Sequence, residues 1–253
     1  MAKKIAFSNQ KGGVGKTTTC VNIAAYLAEN GKKVLVIDLD SQANASSSLG
    51  IFDKKAHNST YDVLLGDKSV SDCIRDTEIN GLKLIPANSD LAGADIELAS
   101  IKGRERVLAN KLLAVEDDFD YILIDCAPSL GLVIVNALTA ADGIVVPIVC
   151  EYLALEGLAQ MMNTARLVRK HLNPSLEIAG VVLTMYDGRS KLTREVREQV
   201  DKLFLGKVFE TTVPKNVRLA EAPSYGKPIL LYDKKCAGAQ AYESLAREFI
   251  QKI

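Results

Sequence analysis

The sequence predicts an α/β fold: a mostly parallel, twisted sheet with helices on both faces. Three observations lead there. Short β-branched apolar runs alternate with stretches of helical spacing. Two of the runs, VLVID and YILID, are apolar at nearly every position, as in strands covered on both sides. No linker, repeat or low-complexity tract divides the 253 residues, so one domain over 1–253 is expected.

Taken in order, the strand-like runs are Lys4 to Ser8, Lys33 to Asp38, Leu82 to Pro86, Tyr121 to Asp125, Gly143 to Val149 and Ile178 to Met185. The second and fourth end in aspartate. Ligands of an open α/β sheet sit beyond the carboxyl ends of its strands, so Asp38 and Asp125 should face one crevice with the loop that follows the first strand. Ser41 to Lys68 turns polar and irregular, consistent with a mobile loop and short helices. Gly157 to Leu172 has apolar residues at helical spacing, stopped by Asn173 and Pro174. Gly238 to Ile253 reads as a second such helix, with Ala241, Leu245, Phe249 and Ile250 on its core face.

Composition narrows the classes of function. Apolar residues make up 48% and charged residues 25%, the mixture of a folded soluble protein rather than a disordered one. The 31 basic and 31 acidic residues cancel, so contact with nucleic acid would need a local basic patch. Five widely spaced cysteines, with no CxxC pair, support neither a disulfide framework nor a structural zinc site, and a reducing cytoplasm is the simplest home. No run reaches the roughly 18 apolar residues of a membrane span, and MAKKIAFSNQ has no signal-sequence core.

The chemistry is concentrated in NQKGGVGKTT, Asn9 to Thr18, between the first strand and a helix-forming stretch. Strand, glycine loop and helix in that order are what a phosphate-binding loop requires. Gly12, Gly13 and Gly15 let backbone amides converge on phosphate oxygens, and Val14 and Thr18 complete the loop. Lys16 is placed to neutralise the β- and γ-phosphates, and the Thr17 hydroxyl to hold Mg²⁺ at the helix N-terminus. ATP and Mg²⁺ are the expected ligands. In VLVIDLDSQANAS, Val34 to Ser46, two aspartates follow a strand. A carboxylate that hydrogen-bonds a water can orient it for in-line attack on the γ-phosphate. Either aspartate could also serve only as a turn former.

The loop departs from GxxxxGK[ST], because Gln10 stands at its first glycine and Lys11 opens the run. It resembles the deviant Walker A motif KGGxGK[ST] of the family containing the ParA, Soj and MinD proteins and the nitrogenase iron protein. The resemblance implies that Lys11 reaches across a dimer to the partner's nucleotide. On the residues alone, Lys11 is a second cation beside a phosphate site or a solvated surface lysine. Asp40 resembles the family's water-orienting residue; Asp38 is left for Mg²⁺ and its waters, or for fixing the loop. Relatives commonly have proline where this chain has Ser41, which leaves the backbone there freer. YILIDCAPSLG, Tyr121 to Gly131, resembles the Walker B strand and switch: Asp125 would hold Mg²⁺ through water, and Ala127 to Ser129 would sense the γ-phosphate. Cys126 reads as packing.

ALEGLAQMMNTARLVRKHLNP and VPKNVRLAEAPSYGKPILLYD look like Soj-type sequence, and the resemblance covers essentially the entire chain. It implies a chromosome or plasmid partition ATPase with Pro214 and Asn216 at the base. Such an ATPase works as an ATP-dependent homodimer that binds double-stranded DNA nonspecifically, in the cytoplasm on the nucleoid. Arg189 and Arg218 match DNA-contacting positions, with Lys191, Arg194 and Lys215 as further members of the patch. A ParB or Spo0J-like protein is the implied partner, and control of replication initiation a further implied role. No aromatic interleaving or helix-turn-helix pattern points to base-specific reading. The alternative is a MinD-like membrane-cycling ATPase, which needs a basic amphipathic C-terminal helix; AYESLAREFIQKI is short and charge-balanced. An iron–sulfur reductase component would need cluster cysteines, and Cys126 and Cys150 fall outside that pattern. A non-hydrolysing scaffold is disfavoured by Lys16 and Asp40.

Overall fold

The computed structural model describes residues 1–53, 57–151 and 154–253. Its strands are β1 Lys3–Phe7, β2 Val34–Leu39, β3 Arg75–Asp76, β4 Leu82–Ile85, β5 Tyr121–Cys126, β6 Gly143–Val149 and β7 Glu177–Thr184. Between them lie α1 Lys16–Glu29, α2 Asn44–Ser48, α3 Thr60–Leu65, α4 Val70–Cys73, α5 Ala94–Leu98, α6 Val107–Leu112, α7 Leu132–Ala140 and α8 Ala154–His171. After β7 come α9 Lys191–Leu203, α10 Val217–Glu221, α11 Ile229–Tyr232 and α12 Ala237–Lys252. All seven strands form one sheet in the order β3-β4-β2-β5-β1-β6-β7, parallel except for β3.

Alternate residues of the parallel strands enter different cores. Ile5 and Phe7 of β1 pack with Val34, Val36 and Leu123 under α1 and α12. Ala6, Leu35, Ile37, Ile122 and Ile124 pack on the other face, with residues of α3, α6, α7 and α8. This is why the strands read as continuous apolar runs. Helix α1 is buried from Thr19 to Ala28, because the sheet covers one side of it and α12 the other. Helix α12 presents Tyr242, Leu245, Ala246 and Phe249, a face rotated from the expected stripe, and leaves Ala241 and Ile250 at its margin.

The six expected strands are present with ends shifted by at most one residue, and β3 is an addition. The polar stretch after Ser41 forms α2 and α3, while its residues 54–56 lie outside the described ones. β1 sits between β5 and β6, and the register places Phe7 opposite Asp125 and Asp125 opposite Asp38. One row across three strands therefore carries two carboxylates to the crevice in front of the loop that follows β1.

Candidate nucleotide-binding site

Hydrogen bonds with neighbouring strands hold the loop from Ser8 to Gly15. The Asn9 amide donates to the Pro147 carbonyl at 2.8 Å, and the Asn9 side-chain oxygen accepts the Lys11 N–H at 3.1 Å. From β7, the Thr184 hydroxyl donates toward the Val14 carbonyl at 2.9 Å. Gly13 and Gly15 have φ of 73° and 82°, a region that costs side-chain-bearing residues roughly 1–2 kcal/mol. Gly15 forms the N-cap of α1, so the free N–H groups of that helix open toward the crevice. Gly12 has no positive φ and no neighbour within 4 Å, so only the space in front of the loop favours glycine there.

That space is a cavity of about 720 Å³ whose wall includes Gly13, Lys16, Thr17, Asp40, Pro128 and Ser129. A narrower cavity of about 360 Å³ continues it past Gly15 and Thr18, walled largely by Val213, Pro214, Val217, Leu219 and Met185. A chamber that carries Lys16, Thr17 and Asp40 and opens into an apolar slot suits a ligand with an anionic end and a planar, apolar end. Another opening of about 720 Å³, between Lys33, Asn80 and Asp118, lies at the starting ends of β2 and β4. It gathers none of the residues predicted to act, and ligands of such sheets belong at the opposite ends.

The charged groups of the crevice are buried to an unusual degree. Lys16 donates from its ammonium to the Lys11 carbonyl at 3.0 Å. Burial lowers its pKa, an effect that Asp125 partly opposes. Asp125 is fully buried, and neither of its carboxylate oxygens has a hydrogen-bond partner among the described residues. Burial first, then the charge of Asp38, pushes its pKa well up, while the nearby Thr17 hydroxyl favours the charged form without reaching hydrogen-bonding geometry. An orphaned buried carboxylate costs several kcal/mol unless a cation or hydrated ion meets it. Oxygen donors from Asp125 and Thr17 suit Mg²⁺, which keeps several of its waters and takes few protein ligands.

Asp38 differs. One of its oxygens accepts the Ser46 N–H and hydroxyl, at 2.8 and 2.7 Å, and the other accepts the Asp40 N–H at 3.2 Å. Burial still pushes its pKa up to about 6, against the pull of those bonds from Ser46. Of the two roles open to Asp38, this geometry matches fixing the loop. Asp40 then accepts the Gln42 N–H at 2.9 Å, and its carbonyl accepts the Ala43 N–H at 2.8 Å. Ser41 sits inside that turn. Ala43 has φ of 54° and Met185 of 50°, two strained non-glycine residues close to the crevice that nothing in the sequence signalled.

Lys11 lies at the rim, its ammonium 2.8 Å from Glu151. An exposed pair of this kind is worth about 0.5 kcal/mol. Pro214 pairs with Tyr186 in a short bridge, and Asn216 uses its side-chain oxygen to cap α10 through the Arg218 N–H at 2.9 Å. The bridge sets the segment bearing Arg189 beside the segment bearing Lys215 and Arg218. Both arginines are exposed: Arg189 pairs with Asp187 at 3.0 Å, and Arg218 with Glu221 at 2.9 Å. Cys126 is buried, and burial raises the pKa of its thiol, which leaves it inert.

A mostly parallel sheet whose interior strand β1 feeds a glycine loop, with a buried lysine and a buried carboxylate beside it, defines a P-loop nucleotide-binding protein. Among known families, the AAA domain matches residues 2–178. The chain is 54% identical over 248 residues to the sporulation initiation inhibitor protein Soj of Bacillus subtilis, covering 98% of each. It is 51% identical over 250 residues to the chromosome partitioning protein ParA of Caulobacter vibrioides, covering 98% of this chain and 94% of that one. A crystal structure of cobyrinic acid a,c-diamide synthase from Mycobacterium smegmatis, with bound ADP and magnesium, superposes with a TM-score of 0.87 at 38% identity, over 99% of this chain and 95% of that one. The chain belongs to the Soj/ParA family of chromosome-partitioning P-loop ATPases.

Proposed function

We propose that the chain is a DNA-segregation ATPase in which ATP and Mg²⁺ close a two-fold dimer, the dimer binds DNA without sequence preference, and hydrolysis releases it. The observation that carries this reading is Asp125, a buried carboxylate whose two oxygens have no partner among the described residues, beside Lys16 and Thr17. In this reading the loop amides and Lys16 bind the β- and γ-phosphates, and Thr17 and Asp125 hold the metal, Asp125 through water. When bound, Mg²⁺ supplies neutralisation of the phosphate charge. Asp40 orients the attacking water, Asp38 fixes the loop that carries Asp40, and Pro214 and Asn216 border the base. Lys11 leaves Glu151 to reach the nucleotide of a second copy.

DNA phosphates would be met by Arg189 and Arg218, joined by Lys191, Arg194 and Lys215, with an affinity that falls as salt rises. Turnover is slow until a ParB or Spo0J-like protein accelerates it. The protein acts in the cytoplasm on the nucleoid, with control of replication initiation as a further role. Identities of 54% and 51% to Soj and ParA, against 38% to the synthase structure, direct the reading to partition. Among the described residues no helix is long and apolar enough to cross a membrane, and α12 buries its apolar face under the sheet rather than offering it to a lipid surface.

The test compares nonspecific DNA binding in ATP and in ADP, with and without liposomes, alongside light scattering for wild type and Asp40→Ala. The expected result is ATP-dependent dimers and DNA binding, both persisting longer in Asp40→Ala. Monomers of Asp40→Ala in ATP would overturn the role of Asp40, and equal DNA binding in ADP would overturn the switch.

A further inference from the structure

We propose that Asp95 is a positioning residue for the loop that follows β5, a reading that rests on the γ-phosphate-sensing role given above to Ala127 to Ser129. The loop is short and bounded. β5 ends at Cys126 and α7 begins at Leu132, so the stretch between them has one end fixed by the sheet and the other by the first turn of α7.

That first turn cannot cap itself. Its N-cap residue is Gly131, which has no side chain to accept a free N–H. The acceptor comes from α5 instead: the Asp95 carboxylate takes the Val133 N–H at 2.8 Å, from 38 positions earlier in the chain. Its negative charge also lies at the favourable end of the α7 dipole. Gly131 has an ordinary φ of −80°, so the backbone does not require glycine there. The approach of Asp95 does, because a methyl group built on Gly131 falls within the Asp95 carboxylate.

Both partners in this contact are held independently. Ala94 and Leu98 anchor α5 in the core. Within α7, Asn136 accepts the Leu108 N–H at 3.1 Å and donates to the Leu132 carbonyl at 2.9 Å. Asp95 therefore pins the downstream end of the loop between two fixed bodies, and residues 127–130 are left as its only free run. Without the pin the first turn of α7 frays, the free run lengthens, and closing the loop on a phosphate orders more residues. Because ADP has no γ-phosphate to draw the loop in, the cost falls on ATP-dependent steps alone.

The experiment measures ADP affinity, kcat and KM for ATP, and ATP-dependent dimerisation in four variants: Asp95→Ala, Asp95→Asn, Gly131→Ala and the Asp95→Ala/Gly131→Ala double variant. Asp95→Ala should lower kcat about five-fold, the equivalent of the roughly 1 kcal/mol of local helix stability that a lost cap costs, while ADP affinity stays within about two-fold. Asp95→Asn, whose amide oxygen can still accept the Val133 N–H, should recover most of the rate. Gly131→Ala should be impaired in the wild-type background and add nothing in the Asp95→Ala background. The proposal is overturned if Asp95→Ala weakens ADP binding as much as it slows turnover, if Asp95→Asn is as slow as Asp95→Ala, or if Gly131→Ala costs the same in both backgrounds. A wild type that never dimerises in ATP would sink the proposed function, whereas normal dimerisation and turnover in the Asp95 variants would sink only this inference.

Discussion

Asp125 and Glu248 are both largely buried carboxylates, and they are treated in opposite ways. Glu248, on α12, accepts the Glu210 and Thr211 N–H groups at 2.7 and 2.9 Å and pairs with Lys252 at 2.9 Å. Burial pushes its pKa up, but those partners more than reverse the push and hold it below the ordinary glutamate value. Asp125 is buried more deeply still and has no such partners, and its pKa goes the other way. In the proposed function the end of the sheet that faces the crevice keeps a charge in reserve for a ligand, whereas α12 uses a charge to tie two segments together. One region gives up stability for binding; the other is stabilised by what it binds internally.

The largest expected effect that could break this contrast comes from Lys16. Replacing it with alanine removes the only described ammonium buried beside the loop and leaves Asp125 without a nearby cation. Nucleotide affinity should fall at least about 100-fold, near 2.7 kcal/mol, in a calorimetric titration with ATP. Binding within a few-fold of wild type would mean that the loop amides suffice.

Asp125→Asn sharpens the contrast, because it keeps the shape and removes the charge. Magnesium-dependent hydrolysis should fall about 100-fold, while the ligand-free protein gains about 1 kcal/mol, or roughly 2–4 °C in thermal midpoint. A lower midpoint without nucleotide would show that the carboxylate is structurally satisfied after all. Arg189 lies outside both regions, exposed and paired with Asp187 at 3.0 Å, so its reversal to glutamate should leave folding and ATP-driven dimerisation unchanged. The same change should reduce the salt dependence of DNA binding by about 0.9 in the log–log slope for each DNA phosphate that is no longer neutralised. An unaltered gel shift at low salt would remove Arg189 from the interface.

The legible parts of the molecule are those whose meaning is local. Strand, glycine loop and helix follow one another within Lys3 to Glu29, and the apolar runs of β2 and β5 mark their burial without help from distant residues. β3 was illegible because two residues, Arg75 and Asp76, carry no pattern, and they become a strand only by pairing antiparallel with β4. Ser46 is one of several serines in a polar stretch of sequence; its bonds to Asp38 appear only when the chain turns back through the strained Ala43. Glu151 and Asp95 were missed for the same reason, since their partners Lys11 and Val133 are 140 and 38 residues away. Resemblance implies that Asn216 is a base contact, and its role as the cap of α10 is added by the fold.

Glu248 offers the smallest effect and the cleanest sign. Its folded-state pKa is depressed, so the folded protein binds fewer protons there than the unfolded chain. The contribution is fully present above the ordinary glutamate value of 4.5 and is lost as pH falls through the lower folded value. Glu248→Gln keeps the length of the side chain but turns an NH₂ group toward one of the two backbone donors, so one bond is lost and one N–H is left unmet. At neutral pH the cost should be about 1–2 kcal/mol, seen as a drop of roughly 4 °C in thermal midpoint. Below pH 4.5 the gap between variant and wild type should narrow, because protonation removes the same charge from the wild type. A gap that stays constant down to acid unfolding would mean that Glu248 acts through packing alone, and the distinction between partnered and orphaned carboxylates would then rest on Asp125.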